Sequence, residues 1–395
     1  MTKNIFGRDN ADYRLQILNN IFLIIGTPLF PVEDSRFYSV YRIITYMSLY
    51  FTFVTILIGI FLNLDDMAYV MESARPGISI LNVLWTHFFM SINLNKLQIL
   101  VKMATSFTWS ELPVRDPVTG SKTTAYWIQR SQVLAWRTAN IVVISHVLYL
   151  ALRIVTNSAN PLFFNAWFPF DLNNTLGYSF VLVLQGFGSI ILANLLFGFI
   201  CLYVSLVAIG CTQLEKIQIS LLDLKQIQNE PHCVLKSGFV KCVQHHQQVL
   251  RYMRALEDMF HVVLVGPFLS VAVTLCFAAF TALTISGNHE ESIQILLVIF
   301  AFLCQIQACC WFGNELTIQS GRVRDAAWGS EWIGSPISHQ RSINIMMTVS
   351  KEFSVTAGKI IPVSRHTMMT VMNQAYTYLM FLVNFMERSS TRRGI

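Results

Sequence analysis

The stretch TVMNQAYTYLMFLVNF, residues 370–385, lies near the carboxyl end of the chain in a segment long and apolar enough to cross a membrane. It nevertheless carries polar side chains, among them Asn373, Gln374, Thr377 and Asn384. In hydrocarbon an unpaired polar group is strongly unfavourable, so these side chains must face protein or water. What they face decides how the chain is built.

On a helix with about 100° per residue, the polar groups of this stretch share one face. The stripe consists of Thr370, Asn373, Gln374, Thr377 and Asn384, with Phe381 as its one large apolar member. One interpretation is a packed helix whose amides bond to neighbouring spans of the same bundle. The other is a helix that lines water, with Phe381 as a hydrophobic constriction that gates by dewetting. The second interpretation requires several subunits around one axis.

The composition identifies a membrane protein. Of 395 residues, 54% are hydrophobic and 13% are charged, whereas soluble domains carry roughly 25% charged residues. Seven apolar runs approach or exceed the roughly 20 residues that span a bilayer, at 40–64, 78–101, 133–155, 178–211, 261–286, 292–313 and 360–386. The sequence therefore predicts an all-α membrane protein with seven transmembrane helices.

The distribution of Lys and Arg predicts the orientation, because cytoplasmic loops hold the excess of positive charge. With the N-terminus inside, only five of the 28 Lys and Arg residues fall outside: Arg75, Arg153, Arg388, Arg392 and Arg393. The N-terminus is thus expected to be cytoplasmic and the C-terminus extracellular. The sequon at Asn173 then lies in an outer loop, where glycosylation is possible.

Helical periodicity continues beyond the fourth run into a cytoplasmic base, residues 212–260, interrupted at 229–231. Its apolar stripes must bury against their own neighbours, another subunit or the membrane surface. His245 and His246 point about 100° apart on a helix, so we expect a solvated or interface pair rather than a metal site. No cofactor is predicted.

The predicted organisation has four parts. Residues 1–211 hold spans 1 to 4 and an outer ligand pocket, and residues 212–260 form the base. Residues 261–359 hold spans 5 and 6 and a cytoplasmic helix over 342–353, and residues 360–395 hold span 7 and a short extracellular tail.

Three motifs in the carboxyl third resemble the insect odorant receptor family: WFGNELTIQSGRVRDAAWGSEW (311–332), AGKIIPVS (357–364) and AYTYLMFL (375–382). The resemblance implies a subunit of a tetrameric ligand-gated cation channel. It also implies assembly with the shared co-receptor Orco and a plasma-membrane location in the dendrites of olfactory sensory neurons.

The same resemblance implies roles for the last helix. The co-receptor ending Thr-Tyr-Phe-Met-Val-Leu-Val-Gln aligns with residues 377–384 here, which puts Phe381 at its gate valine and Asn384 at its pore glutamine. Together with Thr370, Gln374 and Thr377 these residues are the expected lining for permeant cations. Phe is bulkier than Val, so a pore that mixes this chain with co-receptor subunits would be asymmetric.

The expected ligand is a small, volatile, mostly apolar organic molecule held in the outer half of the bundle. Pockets for such ligands are mainly apolar and aromatic, with a few polar groups. The candidates are Leu81, Asn82 and Trp85 in span 2, His146 and Tyr149 in span 3, Tyr178, Leu182 and Gln185 in span 4, and Ile295 and Ile299 in span 6.

Two other classes compete with this interpretation. A seven-span G-protein-coupled receptor would place its N-terminus outside and usually carries Asn-Pro-x-x-Tyr late in span 7, and neither feature is present. A membrane enzyme needs convergent catalytic groups at one depth, and the spans offer only scattered His87, His146 and His261. No nucleic-acid partner is expected.

Overall fold

The computed structural model describes residues 15–31, 36–107, 109, 113, 120, 122–155, 162–170, 172, 174–223, 232–284, 289–330 and 332–393. These residues are mostly helical. The elements are α1 (Gln16–Ile25), α2 (Arg36–Leu62), α3 (Met67–Ile92), α4 (Leu94–Thr105), α5 (Ala125–Val155), α6 (Thr175–Asp223), α7 (His232–Val263), α8 (Val265–Thr284), α9 (His289–Trp328), α10 (Ile337–Val349), β1 (Thr356–Ala357), β2 (Ile361–Pro362) and α11 (Arg365–Arg393). Helix α6 lies at the centre, in contact with α5, α9, α7, α1 and α2.

Helix α2 turns small and polar residues inward, beside Leu49 and Ile56, and many of its large apolar residues outward. The buried side is rich in small and polar residues, namely Thr45, Ser48, Thr52, Thr55 and Gly59. The exposed side carries Val40, Ile43, Ile44, Met47 and Val54. Small residues allow close helix packing and the threonine hydroxyls are satisfied within the protein, whereas the apolar face suits lipid. This arrangement is that of a helix folded in a bilayer.

Three helical runs are long and apolar enough to cross a membrane: Arg36–Leu62, Thr175–Asp223 and Ser237–Leu275. A bent pair, Pro76–Ile92 with Leu94–Thr105, would count as a fourth. This count of candidate spans covers the described residues alone and uses helix length and composition. The chain is a multi-pass membrane protein, and seven spans stay a prediction.

The second predicted span, 78–101, is not one straight helix. The chain bends by 78° between Pro76–Ile92 and Leu94–Thr105. At the bend, the side chain and the backbone N–H of Asn93 both donate to the Phe89 carbonyl, at 3.0 and 3.2 Å. Helix α4 therefore leaves the direction of α3 and packs against α7.

The base segment packs against its own chain. Leu214, Ile217 and Leu221 are fully buried, and the Tyr252 hydroxyl donates to the Leu206 carbonyl at 2.6 Å. The apolar stripes of the base are therefore covered mainly by neighbouring helices of the same chain, one of the three partners expected for them.

The expectation of a solvated or interface pair at His245 and His246 was wrong. Both are buried within the chain. The Nε2 atom of His245 lies 2.9 Å from Oε1 of Gln213, and its ring stacks on Trp109 with centroids 4.1 Å apart. The aromatic side chain that covers His245 comes from the segment after α4, a long-range contact that helical periodicity does not report.

The connection into the last helix also differs from the prediction. The cytoplasmic helix expected at 342–353 is α10, which ends at Val349, and the last helix begins at Arg365 rather than near residue 360. The intervening β1–β2 hairpin turns through Gly358 and Lys359, at φ 67° and 60°. Positive φ favours glycine and interrupts a helix. Ser364 then caps α11, because its Oγ accepts from Thr367 N at 3.2 Å.

Helix α9 and the start of α11 approach closely at Gly313. A Cβ atom at this position would lie 2.6 Å from the Val363 carbonyl oxygen and 2.9 Å from Val363 Cγ1. The obstacle is partly backbone, so it cannot rotate away. Glycine at 313 therefore sets the distance between the two helices.

We expect Gly313→Ala to destabilise the chain, since overpacking a close contact costs about 1–3 kcal/mol. Gly77→Ala is the matched control, because its Cβ would meet only Ile56 Cγ2 at an ordinary 3.6 Å. Both variants share the helix-propensity gain of about 1 kcal/mol. The measurement is the thermal midpoint in detergent and the surface level in cells. Equal midpoints for the two variants would contradict this account.

Candidate functional site

Helix α11 presents its polar stripe away from its own bundle. The side that packs on α8 and α9 includes Thr367 and Ala375, which are buried, and Val371, which is partly buried. The stripe residues Thr370, Gln374, Thr377, Phe381 and Asn384 are all exposed, with Phe381 at 65%. The polar face thus lies opposite the packed face.

The two stripe hydroxyls bond within α11. Thr370 donates to the His366 carbonyl at 3.0 Å and Thr377 to the Asn373 carbonyl at 2.9 Å. Among the described residues, no hydrogen bond joins Thr370, Gln374, Thr377 or Asn384 to another helix. Bonding of these amides to neighbouring spans of the same chain, one of the two interpretations, is absent from this part of the molecule.

The start of α11 is tied to α7 through the hairpin. Both carboxylate oxygens of Glu257 accept from Thr356, one from its backbone N–H at 2.9 Å and the other from its hydroxyl. The N–H of Gly358 donates to the His261 carbonyl at 2.7 Å. A shift of α7 would therefore be transmitted to the hairpin that leads into α11.

The 311–332 motif, which lies mostly on α9, also contacts the segment that leads into α11. The guanidinium of Arg365 lies over the Trp311 ring, 3.9 Å from its centroid, and Phe353 N donates to Ser320 Oγ at 2.8 Å. Gln218 of α6 donates to the carbonyl and the side-chain oxygen of Gln319, both at 3.0 Å. The motif thus joins α6, α9 and the entry to α11.

At the opposite end of α6, Gln185 holds the segment 162–170. Its Oε1 accepts from Phe164 N at 3.2 Å and its Nε2 donates to Phe164 O at 3.0 Å. The segment is also fixed by Trp167 N, which donates to the Thr55 carbonyl at 3.1 Å. Gln185 is buried, and its amide is fully engaged in positioning this segment.

His146 of α5 lies beside this segment. Its Nδ1 is 3.0 Å from Ser189 Oγ, and its ring meets Phe164 edge-on with centroids 6.2 Å apart. His146 and Gln185 therefore share one neighbourhood around Phe164.

A narrow cleft lies between α3, α6 and α9. Its lining is Asn82, Val83, Thr86, Leu195, Leu196, Phe199 and Gln305. About 150 Å³ of space lies between these side chains, but the cleft is too narrow for a water molecule. We call it the α3–α6–α9 cleft.

The predicted ligand residues do not all meet in one place. Asn82 lines the cleft, whereas Leu81 is 52% exposed on the outside of α3. Trp85 is partly buried and donates to the Val262 carbonyl at 3.1 Å. Tyr178, Leu182 and Ile299 are partly buried. The side chains of Tyr149 and Ile295, and residue Asn173, lie outside the described part of the structure.

Sequence reasoning missed Gln305 of α9. A glutamine in the middle of the apolar run 292–313 was the available signal, since polar residues inside a span face the bundle interior.

Comparison with known proteins identifies the family. The family described as 7tm Odorant receptor matches residues 66–376, which is most of the chain. The chain belongs to the insect odorant receptor family. This match does not favour the alternative of a G-protein-coupled receptor.

Individual odorant receptors are also similar to this chain in sequence. The receptor is 24% identical to Odorant receptor 10 of Aedes albopictus over 186 residues, covering 47% of this chain and 49% of that one. It is 25% identical to the Odorant receptor coreceptor of Drosophila melanogaster over 151 residues, covering 38% and 31%. The matched part spans about half or less of the length of these relatives.

The similarity in fold to a solved structure covers more of the chain than the similarity in sequence. The olfactory receptor OR5 of Machilis hrabei, solved in complex with eugenol, superposes with a TM-score of 0.73 at 14% identity, covering 95% of this receptor and all of that chain. A second structure of the same protein superposes with a TM-score of 0.72. The architecture is therefore that of a solved insect olfactory receptor.

We expect Gln185→Leu to release the 162–170 segment while leaving the bundle folded. Each lost hydrogen bond contributes about 1 kcal/mol, so loss of both predicts about a tenfold or larger rise in local opening. The measurement is the rate at which Asn165→Cys reacts with a membrane-impermeant maleimide. Asn194→Leu is the control, because the amide of Asn194 donates to the Ile190 carbonyl of its own helix and, within the described residues, bonds to no other segment. An unchanged rate at equal surface level would refute the anchoring role.

Proposed function

We propose that this receptor is the odorant-binding subunit of a heteromeric ligand-gated cation channel. In this proposal it assembles with Orco subunits into a tetramer in the plasma membrane of olfactory sensory neurons. A small volatile organic molecule binds among α3, α5, α6 and α9, and the central pore is lined by α11.

The exposed polar stripe on α11 is the observation that carries the proposal. A helix between lipid and its own bundle would expose apolar residues, as α2 does. An exposed row of amides and hydroxyls in hydrocarbon is strongly unfavourable. Neighbouring subunits around an axis would resolve the conflict, because the stripe would then face a shared aqueous path.

Phe381 would close that path. It is the large apolar residue of an otherwise polar stripe, and it is exposed on the same face as Thr377 and Asn384. Apolar side chains that meet at an axis exclude water, and exclusion of water blocks ions. Opening would then require α11 to move or rotate, for which the Glu257 contact with the hairpin offers a route from α7.

The charge distribution supports the orientation that this channel needs. With the N-terminus cytoplasmic and the C-terminus extracellular, nearly all Lys and Arg lie inside. The Gln185 end of α6 and the 162–170 segment would then face outward, where an odorant arrives. The base, the hairpin and the 311–332 motif would face the cytoplasm.

We expect Asn384→Asp, co-expressed with Orco, to raise permeability to divalent relative to monovalent cations. A unit charge about 4 Å from an ion contributes on the order of 1–4 kcal/mol between water and a protein surface, and a divalent ion gains twice as much. The measurement is the reversal potential under bi-ionic conditions with Ca²⁺ outside and Na⁺ inside, which should become more positive.

Met372→Ala is the control for this experiment. Met372 lies on the side of α11 opposite the stripe and is partly buried, so its loss should lower assembly at most and leave selectivity unchanged. If Asn384→Asp reached the surface normally and left the reversal potential unchanged, the pore-lining role of the stripe would be wrong.

A further inference from the structure

Three buried polar atoms in the α3–α6–α9 cleft have no hydrogen-bond partner. They are Nδ2 and Oδ1 of Asn82 and Oε1 of Gln305, judged against the described part of the chain. Asn82 is 3% exposed and Gln305 is 2% exposed. Both residues line the same cleft, although they belong to different helices.

Unpaired buried amides are rare, since folding leaves the loss of their bonds to water uncompensated. Water cannot restore the bonds here, because the cleft is too narrow to hold it. Neighbouring polar residues do not restore them either: the hydroxyl of Thr86 is engaged with the Asn82 backbone carbonyl at 3.0 Å. The cleft therefore presents one amide donor group and two acceptors without partners.

The unpaired atoms specify the chemistry of an occupant. Asn82 Nδ2 needs an acceptor, whereas Asn82 Oδ1 and Gln305 Oε1 need a donor. A hydroxyl group provides both, but an ether, ester or ketone oxygen accepts only. The lining contains no ionisable residue, so a charged group would be buried without a counter-charge, which is strongly unfavourable.

The rest of the cleft is apolar. Val83, Leu195, Leu196 and Phe199 surround the two amides, and they would pack on the hydrocarbon part of an occupant. The occupant must also separate α3, α6 and α9, because the cleft is too narrow even for water. Its binding would thus be coupled to helix movement.

We propose that Asn82 and Gln305 bind the hydroxyl group of a neutral alcohol or phenol, and that this class of odorant opens the α3–α6–α9 cleft. This inference rests on the proposed odorant-binding function and specifies its ligand class. In the complex, the ligand hydroxyl donates to Oδ1 of Asn82 or Oε1 of Gln305 and accepts from Nδ2 of Asn82.

The test compares alcohols with their methyl ethers. The receptor and Orco are co-expressed, and currents are recorded for 1-hexanol, 1-octanol, 2-phenylethanol and 4-methylphenol, each beside its methyl ether. At least one alcohol should act at a concentration about tenfold or more below that of its ether. Asn82→Leu and Gln305→Leu should abolish this preference, and Asn194→Leu should keep it.

A binding measurement separates this inference from the channel proposal. The purified complex in nanodiscs is melted with and without the same compounds. The active alcohol should raise the thermal midpoint of the wild type but not of Asn82→Leu. Alcohol-dependent stabilisation without current would support the cleft and contradict the channel. If every alcohol and its ether behave alike in both assays, or no alcohol acts in either, the ligand class is wrong.

The midpoint without ligand adds a further check. Because Asn82 has no side-chain partner to lose, Asn82→Leu should leave the ligand-free midpoint unchanged or raise it. A ligand-free midpoint well below that of Asn194→Leu would show that Asn82 has a structural role, and it would overturn the assignment.

Discussion

Hydrocarbon offers no hydrogen bonds, and this one constraint orders the whole molecule. Helix α2 obeys it by turning Ser48, Thr52 and Thr55 inward and its large apolar residues outward. Helix α11 has the reverse arrangement, with its apolar side against α8 and α9 and its amides exposed. This difference in polarity is what the proposed channel requires, with lipid around α2 and a shared polar interior beside α11.

In the proposed channel, the base and the 311–332 motif connect the α3–α6–α9 cleft to α11. Helix α6 passes from the Gln185 anchor, through the wall of the α3–α6–α9 cleft, to the bond between Gln218 and Gln319. Helix α9 lines the same cleft at Gln305 and meets the entry of α11 at Gly313. Separation of α6 from α9 by a ligand would therefore act on elements that hold α11, without any flexible linker between them.

Periodicity predicted the helical class, the polar stripe and the inward continuation of α6, because each depends on residues close together in sequence. It failed where a contact is long-range. The burial of His245 depends on Trp109, and the engagement of Gln185 depends on Phe164. The bend at Asn93 has no local signal in the sequence, because Asn140 and Asn194 donate to the carbonyl four residues earlier in the same way within unbroken helices. The hairpin before α11 was missed because Lys359, a residue without special preference for positive φ, occupies half of its turn.

The most direct test of the central claim is a cysteine scan of α11 in the receptor co-expressed with Orco. Single cysteines at 370–384 are exposed to a membrane-impermeant cationic thiosulfonate while current is recorded. The account predicts rapid block at Thr370, Gln374, Thr377 and Asn384, and slow or no block at Val371, Met372 and Ala375, which gives a period of about 3.6 residues. Equal reactivity on both faces, or reactivity confined to the packed face, would contradict a pore lined by this stripe.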